Sequence, residues 1–292
     1  MVSRTGRHSV RVRPAAVAGT WYPGTAGALK RDLDLYIEAA DVRPSDDVDA
    51  IIAPHAGLMF SGHVGAYAYK AASGGTYDVI FLVGPSHFTA FDGVSVWPAG
   101  QFDSPLGALT IHEEAAAEML RSPIVHDTPA AHTREHSLEM QLPFLRHLLP
   151  GVPIVPMLIG YQTRETIETL AQVLAGAAGK RRALLVASTD LSHYFDAKAA
   201  AALDARVQDQ VARFDPAGLL DLFETYPEAE RGRYVACGGG AAIAVMMAAH
   251  SHGASSGRVL KYAHSGEISG DYDGVVGYLA AAFGHFPKLD VH

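Results

Sequence analysis

Two histidines stand at matching places in the chain. His55 follows a short apolar run at residues 50–53 (AIIA) and a proline, and His87 follows the run 79–83 (VIFLV) and the turn Gly84-Pro85-Ser86. Short β-branched runs closed by Gly and Pro read as buried strands, so each imidazole is held rigidly at a strand end. Neutral imidazole is a common metal ligand and suits iron, zinc and copper. A single such residue is more often a hydrogen-bonded loop histidine; the repeated placement is what points to a metal site. A third histidine, His193, closes the sequence Asp190-Leu191-Ser192-His193 after the run 183–187 (ALLVA). Asp and His in one tight turn suit proton transfer, with Asp190 fixing the imidazole tautomer of His193. An Asx turn capped by Asp190 is the plainer alternative.

Two further clusters carry chemistry. In Arg134-Glu135-His136-Ser137, ahead of a helical pattern, His136 can serve as acid or base with Glu135 orienting its ring. The alternative is a helix-capping cluster, with Ser137 as the cap and Glu139 and Gln141 in the first turn. The lone cysteine, Cys237, precedes Gly238-Gly239-Gly240 and an Ala/Met-rich run that reads as a buried helix. A thiolate there favours metal ligation or nucleophilic attack, whereas a lone cysteine is otherwise a small buried apolar residue. No Gly-x-Gly-x-x-Gly or P-loop pattern follows a strand, so nucleotide binding is not supported. Of the other histidines only His132, three residues before Glu135, is placed to approach this group.

The elements that must position these residues alternate. Strands at 50–53, 79–83, 154–159 and 183–187 are separated by helices near 63–72, 113–121 and 137–149; helices at 197–213, 217–225 and 239–249 follow, with closing strands at 259–264 and 274–281. Pro143 predicts a kink or break in the 137–149 helix, and Pro156 places its strand nearer a sheet edge. This pattern predicts an α/β fold, a mostly parallel central sheet with helices on both faces. Ligands of such sheets bind beyond the carboxyl ends of the strands, where His55, His87 and His193 fall. A single domain over residues 14–284 is expected, with tails at 1–13 and 285–292; the arginines Arg4, Arg7, Arg11 and Arg13 have no apolar segment behind them and read as a frayed tail.

Composition narrows the function classes. Hydrophobic residues at 49% against 18% charged describe a well-cored globular chain. A net charge of −8 argues against nucleic acid, whose binding rests on neutralising phosphates. No apolar run of about 18 residues is present to span a bilayer. A lone cysteine cannot form an internal disulfide, which suits a reducing compartment, and the cytoplasm is the expected location.

Taken together, these segments resemble the Memo family, whose members are similar in fold to class III extradiol ring-cleavage dioxygenases. The matching signatures are Ala18-Gly19-Thr20-Trp21-Tyr22-Pro23, Pro54-His55-Ala56-Gly57, Gly84-Pro85-Ser86-His87, the stretch from Glu135 to Pro143 (EHSLEMQLP), Ser188-Thr189-Asp190-Leu191-Ser192-His193 and Cys237-Gly238. They stand in the family's order across nearly the whole chain. The resemblance implies a metal triad of His55, His87 and Cys237, with His136, Asp190 and His193 lining the same pocket as candidate catalytic residues. In the dioxygenases two histidines and a glutamate hold Fe(II); here Cys237 stands in place of the carboxylate. Fe(II) is therefore the expected metal, and the soft thiolate tilts the site toward Cu or Zn. A thiolate is also oxidisable, so ring cleavage does not carry over with the fold. Two functions follow: redox or oxygen-dependent chemistry on a small-molecule substrate, or a metal-handling or phosphopeptide-binding protein that keeps the pocket without the reaction. A Cys-dependent hydrolase using Cys237 is a third. The resemblance also implies a functional link to radical-SAM and AMMECR-type proteins.

Overall fold

The computed structural model describes residues 10–286. In chain order the first half comprises β1 (Val12–Arg13), α1 (Ala26–Ala39), β2 (Val48–Ala53), α2 (Leu58–Ala72), β3 (Val79–Pro85), β4 (Val94–Val96), β5 (Gln101–Phe102), β6 (Leu109–Thr110), α3 (Glu113–Met119), β7 (Val125–His126) and α4 (Pro129–Thr133). A 3-10 turn (Glu139–Gln141) leads into α5 (Leu142–Leu148), β8 (Ile154–Ile159), α6 (Arg164–Ala178) and β9 (Ala183–Ser188). The remainder is β10 (His193–Phe195), α7 (Ala197–Ala212), α8 (Pro216–Glu224), α9 (Glu228–Tyr234), α10 (Gly239–Ser251), β11 (Ser256–His264), α11 (Gly266–Ser269) and β12 (Val275–Gly284).

Nine strands form the main sheet, in the order β10-β12-β2-β9-β3-β8-β4-β7 with β11 also paired to β12. Its middle, β2-β9-β3-β8, is parallel, as the alternating pattern predicts. The sheet as a whole is mixed rather than mostly parallel: β12 runs antiparallel to β2, β10 and β11, and β4 runs antiparallel to β8. The closing strands are joined by a short turn around α11, too short for a crossover, so β11 and β12 form a hairpin.

Every residue of β3 and β8 is buried, which requires cover on both sheet faces. Helix α10, apolar all round, packs on β9, β2 and β3 with α6 and α8 outside it, while α2 packs on β2 and β12 and is joined by α1 and α5. Buried apolar residues from both halves of the chain join one core cluster. Among the described residues, no single helix is long and apolar enough to cross a membrane.

Three local expectations are corrected. Strand β8 lies inside the sheet despite Pro156, because β4 pairs only with Met157–Ile159 and the missing N–H falls beyond that ladder. The predicted helix 137–149 is a 3-10 turn followed by α5, with Pro143 in the first turn of α5, where its lost N–H has no intrahelical partner anyway. The N-terminal segment is built in from β1 onward rather than frayed: Arg13 is buried against Glu139, and Arg11 pairs with Asp127 at 2.9 Å. Arg4 and Arg7 lie outside the described residues.

Candidate metal centre

Strands β2, β3 and β9 are parallel and in register, Ala53 opposite Ser188, so their carboxyl ends share one edge of the sheet. Two residues beyond each end come His55, His87 and Asp190. Here a cavity of about 700 Å³ opens, and His55, His87, His136, Asp190, His193 and Cys237 all border it. Close approach of the chain segments depends on two glycines. A Cβ on Gly238 would lie 2.4 Å from the Ser188 carbonyl oxygen, and one on Gly84 would lie 2.9 Å from Leu138 and Ser137 side-chain atoms. The bare backbones let Cys237 sit against the end of β9, and the Glu135–Ser137 segment against the end of β3.

A hydrogen-bond chain orients His55. Tyr69 donates to Gln141 Oε1 at 2.7 Å, which turns the Gln141 amide so that Nε2 donates to Pro54 O and to Ser188 Oγ. Ser188 in turn donates to the Ser137 carbonyl at 2.7 Å. Its remaining lone pair faces His55 Nδ1 at 2.9 Å, so Nδ1 must carry the hydrogen. His55 Nε2 is left as the free nitrogen, 3.2 Å from Cys237 Sγ. Asp190 supports the same residue from the backbone side, accepting the His55 N–H at 2.7 Å and the Ala56 N–H at 3.3 Å.

His87 is held in a parallel way. Glu135 accepts its backbone N–H at 2.6 Å through Oε2 and its ring Nδ1–H at 2.9 Å through Oε1. Burial would raise the Glu135 carboxyl, but the hydrogen bonds from the His87 ring and from the His87 and Ser137 N–H groups outweigh it and bring it down to about 2. Glu135 is thus a fixed carboxylate whose ring partner is His87. The expectation that it orients the His136 ring fails, because His136 Nδ1 lies 3.4 Å from Glu135 outside hydrogen-bonding alignment and has no partner. Nor does Ser137 cap a helix: its hydroxyl donates to the Pro85 carbonyl.

The three imidazoles converge. Ring centroids lie 5.2 Å apart for His55 and His87, 5.5 Å for His55 and His136, and 4.5 Å for the stacked pair His87 and His136. Their ligand nitrogens fall within 4.8 Å of one another. Nitrogens bound about 2 Å from one ion can be at most about 4 Å apart, so less than about 1 Å of closure is needed. Burial and the neighbouring His55 and His87 bring His136 down to about 3, which leaves it neutral with a lone pair to give. Burial would raise the Cys237 thiol, but the His55 and His87 imidazoles outweigh it and draw it down to about 6. The Asp190 N–H donates to Sγ at 3.4 Å, further supporting a thiolate. Burial would lower His87, but its bonds to Cys237 and Glu135 outweigh it and raise it to about 10, so a metal ion taking its Nε2 displaces a proton there. Imidazoles with a thiolate, His55 and His87 braced from behind, suit a borderline or soft divalent ion.

Asp190 and His193 are electrostatic neighbours beside the cavity, but no hydrogen bond among the described residues joins them. His193 opens the short strand β10 instead of standing in a turn, its Nδ1 has no partner, and Asp190 Oδ1 serves the His55 turn. His132 does not border the cavity; it is buried beside Trp97 and Phe102. Sequence reasoning missed Ser188 as a bracing residue and misread Gln141 and Glu139 as residues of a helical first turn. Glu139 is buried, paired with Arg13, and accepts the Ala16 and Val17 N–H groups and the Tyr22 hydroxyl. Trp21, in the segment so anchored, packs on His136 at 4.3 Å.

Comparison with known proteins agrees with this architecture. The family model described as "Memo-like protein" matches residues 13–282. A MEMO1 family protein of Methanopyrus kandleri is 33% identical over 284 residues, covering 93% of this chain and 98% of its own. One of Methanosarcina mazei is 35% identical, with 93% and 98% covered, and one of Nitrosopumilus maritimus is 32% identical, with 93% and 99% covered. With the model and the relatives matching almost end to end, the chain belongs to the Memo family.

Proposed function

We propose that this chain binds one divalent transition metal through His55, His87 and Cys237, with His136 close enough to act as a further donor, and uses it for redox or oxygen-dependent chemistry on a small substrate. The observation that carries this reading is the matched bracing of the two histidines. Each gives its Nδ1–H to a dedicated acceptor, Ser188 or Glu135, and so has only Nε2 left for the cavity. Fe(II) is the metal proposed, with Cu and Zn as the alternatives that a thiolate favours. A bound redox-active metal supplies electron transfer and open positions for substrate or dioxygen. The chain's own part is to hold the ligands, exclude water with Trp21 and Phe60, and move protons through His136 or His193, both of which border the cavity. Asp190 acts by fixing the turn that carries His55.

The oxidisable Cys237 favours a second reading, a metal-handling protein that retains the pocket without turnover. Anaerobic purification followed by elemental analysis and reconstitution separates the two from a metal-free role. Stoichiometric metal is expected in the wild type and should be lost in His55→Ala with the fold intact; unchanged metal content in that variant would sink the assignment. Fe(II)-loaded protein given protocatechuate or catechol and oxygen should form little or no yellow ring-fission product, and robust multiple turnover would restore plain ring cleavage.

A further inference from the structure

The rest of the cavity lining differs in kind from the metal ligands. It includes Trp21, Phe60 and Tyr194 with Arg233, the one guanidinium that borders the cavity among the described residues. Arg233 has no acidic partner among the described residues, in a chain of net charge −8. It is nonetheless held in place, its guanidinium 4.9 Å from the Phe195 ring centroid and 5.7 Å from that of Tyr234. Stacking of this kind leaves the N–H edge of the guanidinium available for a planar oxyanion. Asp190, a carboxylate bordering the cavity, makes no ion pair with Arg233; its Oδ1 accepts the His55 and Ala56 N–H groups instead.

Tyr194 is placed at a cost. Its φ is +63°, in the left-handed region that a bulky residue rarely adopts, and it sits in β10 where the register with β12 shifts between His193 and Phe195. The result is a ring 69% exposed beside the cavity. Trp21, 38% exposed, faces the same space from the segment anchored on Glu139. Strain that sets an aromatic ring beside a pocket is typical of a ligand clamp.

We infer that the cavity takes a small planar, largely apolar molecule carrying one oxyanion, a carboxylate or a phosphate, with Arg233 receiving the anion and Trp21 and Tyr194 covering the flat face. This deepens the small-substrate reading and shares its pocket, but Arg233, not the metal, sets the charge preference. Bidentate, charge-assisted contacts of this kind correspond to roughly tenfold or more in affinity.

The test is calorimetric titration of 2-naphthoate, 2-naphthyl phosphate and neutral 2-naphthamide into Zn-loaded protein and, separately, into chelator-stripped protein. At least one anionic probe should bind about tenfold tighter than the amide, and which of the two does so identifies the oxyanion. Arg233→Met should bring the anion and the amide to within about twofold of each other, while Arg233→Lys keeps part of the difference. Trp21→Ala should weaken all three probes alike. The stripped protein keeps the outcome separate from the metal reading: the preference should survive there and still depend on Arg233. Equal binding of anion and amide by the wild type, or a preference unchanged in Arg233→Met, would overturn the inference.

Discussion

Glu135 grips His87 at two points, taking its backbone N–H at 2.6 Å and its ring Nδ1–H at 2.9 Å. The carboxylate therefore sets the tautomer and the ring plane together, and also accepts the N–H groups of His136 and Ser137. Glu135→Gln keeps the size but removes the charge and one acceptor. Outer-shell changes of this sort lower metal affinity by about 10–100-fold. Competition against a chromophoric chelator measures it, and affinity within twofold of wild type would remove Glu135 from the site's support.

The third ligand is decided by a paired comparison. Cys237 Sγ lies 3.2 Å from His55 Nε2, while His136 stacks on His87. Co(II)-loaded wild type should show a thiolate-to-cobalt charge-transfer band. Cys237→Ala should lose that band and most of its metal, whereas His136→Ala should keep both with affinity reduced by roughly tenfold or less. The reverse pattern would assign the centre to His55, His87 and His136 alone.

The placement of the site was legible in the sequence because it rests on local rules. β2, β3 and β9 are short apolar runs closed by Pro or polar residues, and parallel pairing then brings their ends to one edge. What was not legible depends on distant partners. Nothing near Ser188 shows that its hydroxyl will meet His55, and nothing near Arg13 shows a burial site 126 residues away at Glu139. The antiparallel half of the sheet was hidden for a similar reason, since a strand's pattern does not state its direction. Helix α6 was legible but overlooked: Thr163 caps it by accepting the Thr166 N–H, and Ile167, Leu170, Ala171 and Leu174 keep helical spacing.

His132 provides a pH prediction apart from the metal ligands. It is buried, its Nε2 meets Ser95 Oγ at 3.1 Å, and burial, with Arg13 nearby, brings it down to about 3. The folded state thus holds the ring neutral where the unfolded chain, near 6.5, takes up a proton. Stability from this residue is complete above about 6.5 and is lost as pH falls from there toward about 3. Between pH 7 and 5 the loss is about 2 kcal/mol. His132→Gln, which keeps a donor for Ser95, should lose less over that range in urea titrations at the two pH values. An equal loss in variant and wild type would show that His132 does not drive the acid sensitivity.

Glu139 joins the fold's stability to the cavity. Its carboxylate faces Arg13, two backbone N–H groups and the Tyr22 hydroxyl, all from the segment that carries Trp21. Glu139→Gln leaves the Arg13 guanidinium buried without a countercharge and turns an amide N–H toward groups that donate. Removing one member of a buried pair typically costs about 3–5 kcal/mol. Denaturant unfolding should show a loss of that order, and the double variant Arg13→Met with Glu139→Gln should recover part of it, because no charge is then left stranded. The local consequence is read from Trp21. Trp97 is the only other tryptophan, so in a Trp97→Phe background the emission reports Trp21 alone. In Glu139→Gln that emission should shift to the red as the ring leaves its place on His136. A full loss of stability with unshifted emission would show that the segment is held by its other contacts and that Glu139 serves the core without positioning the cavity wall.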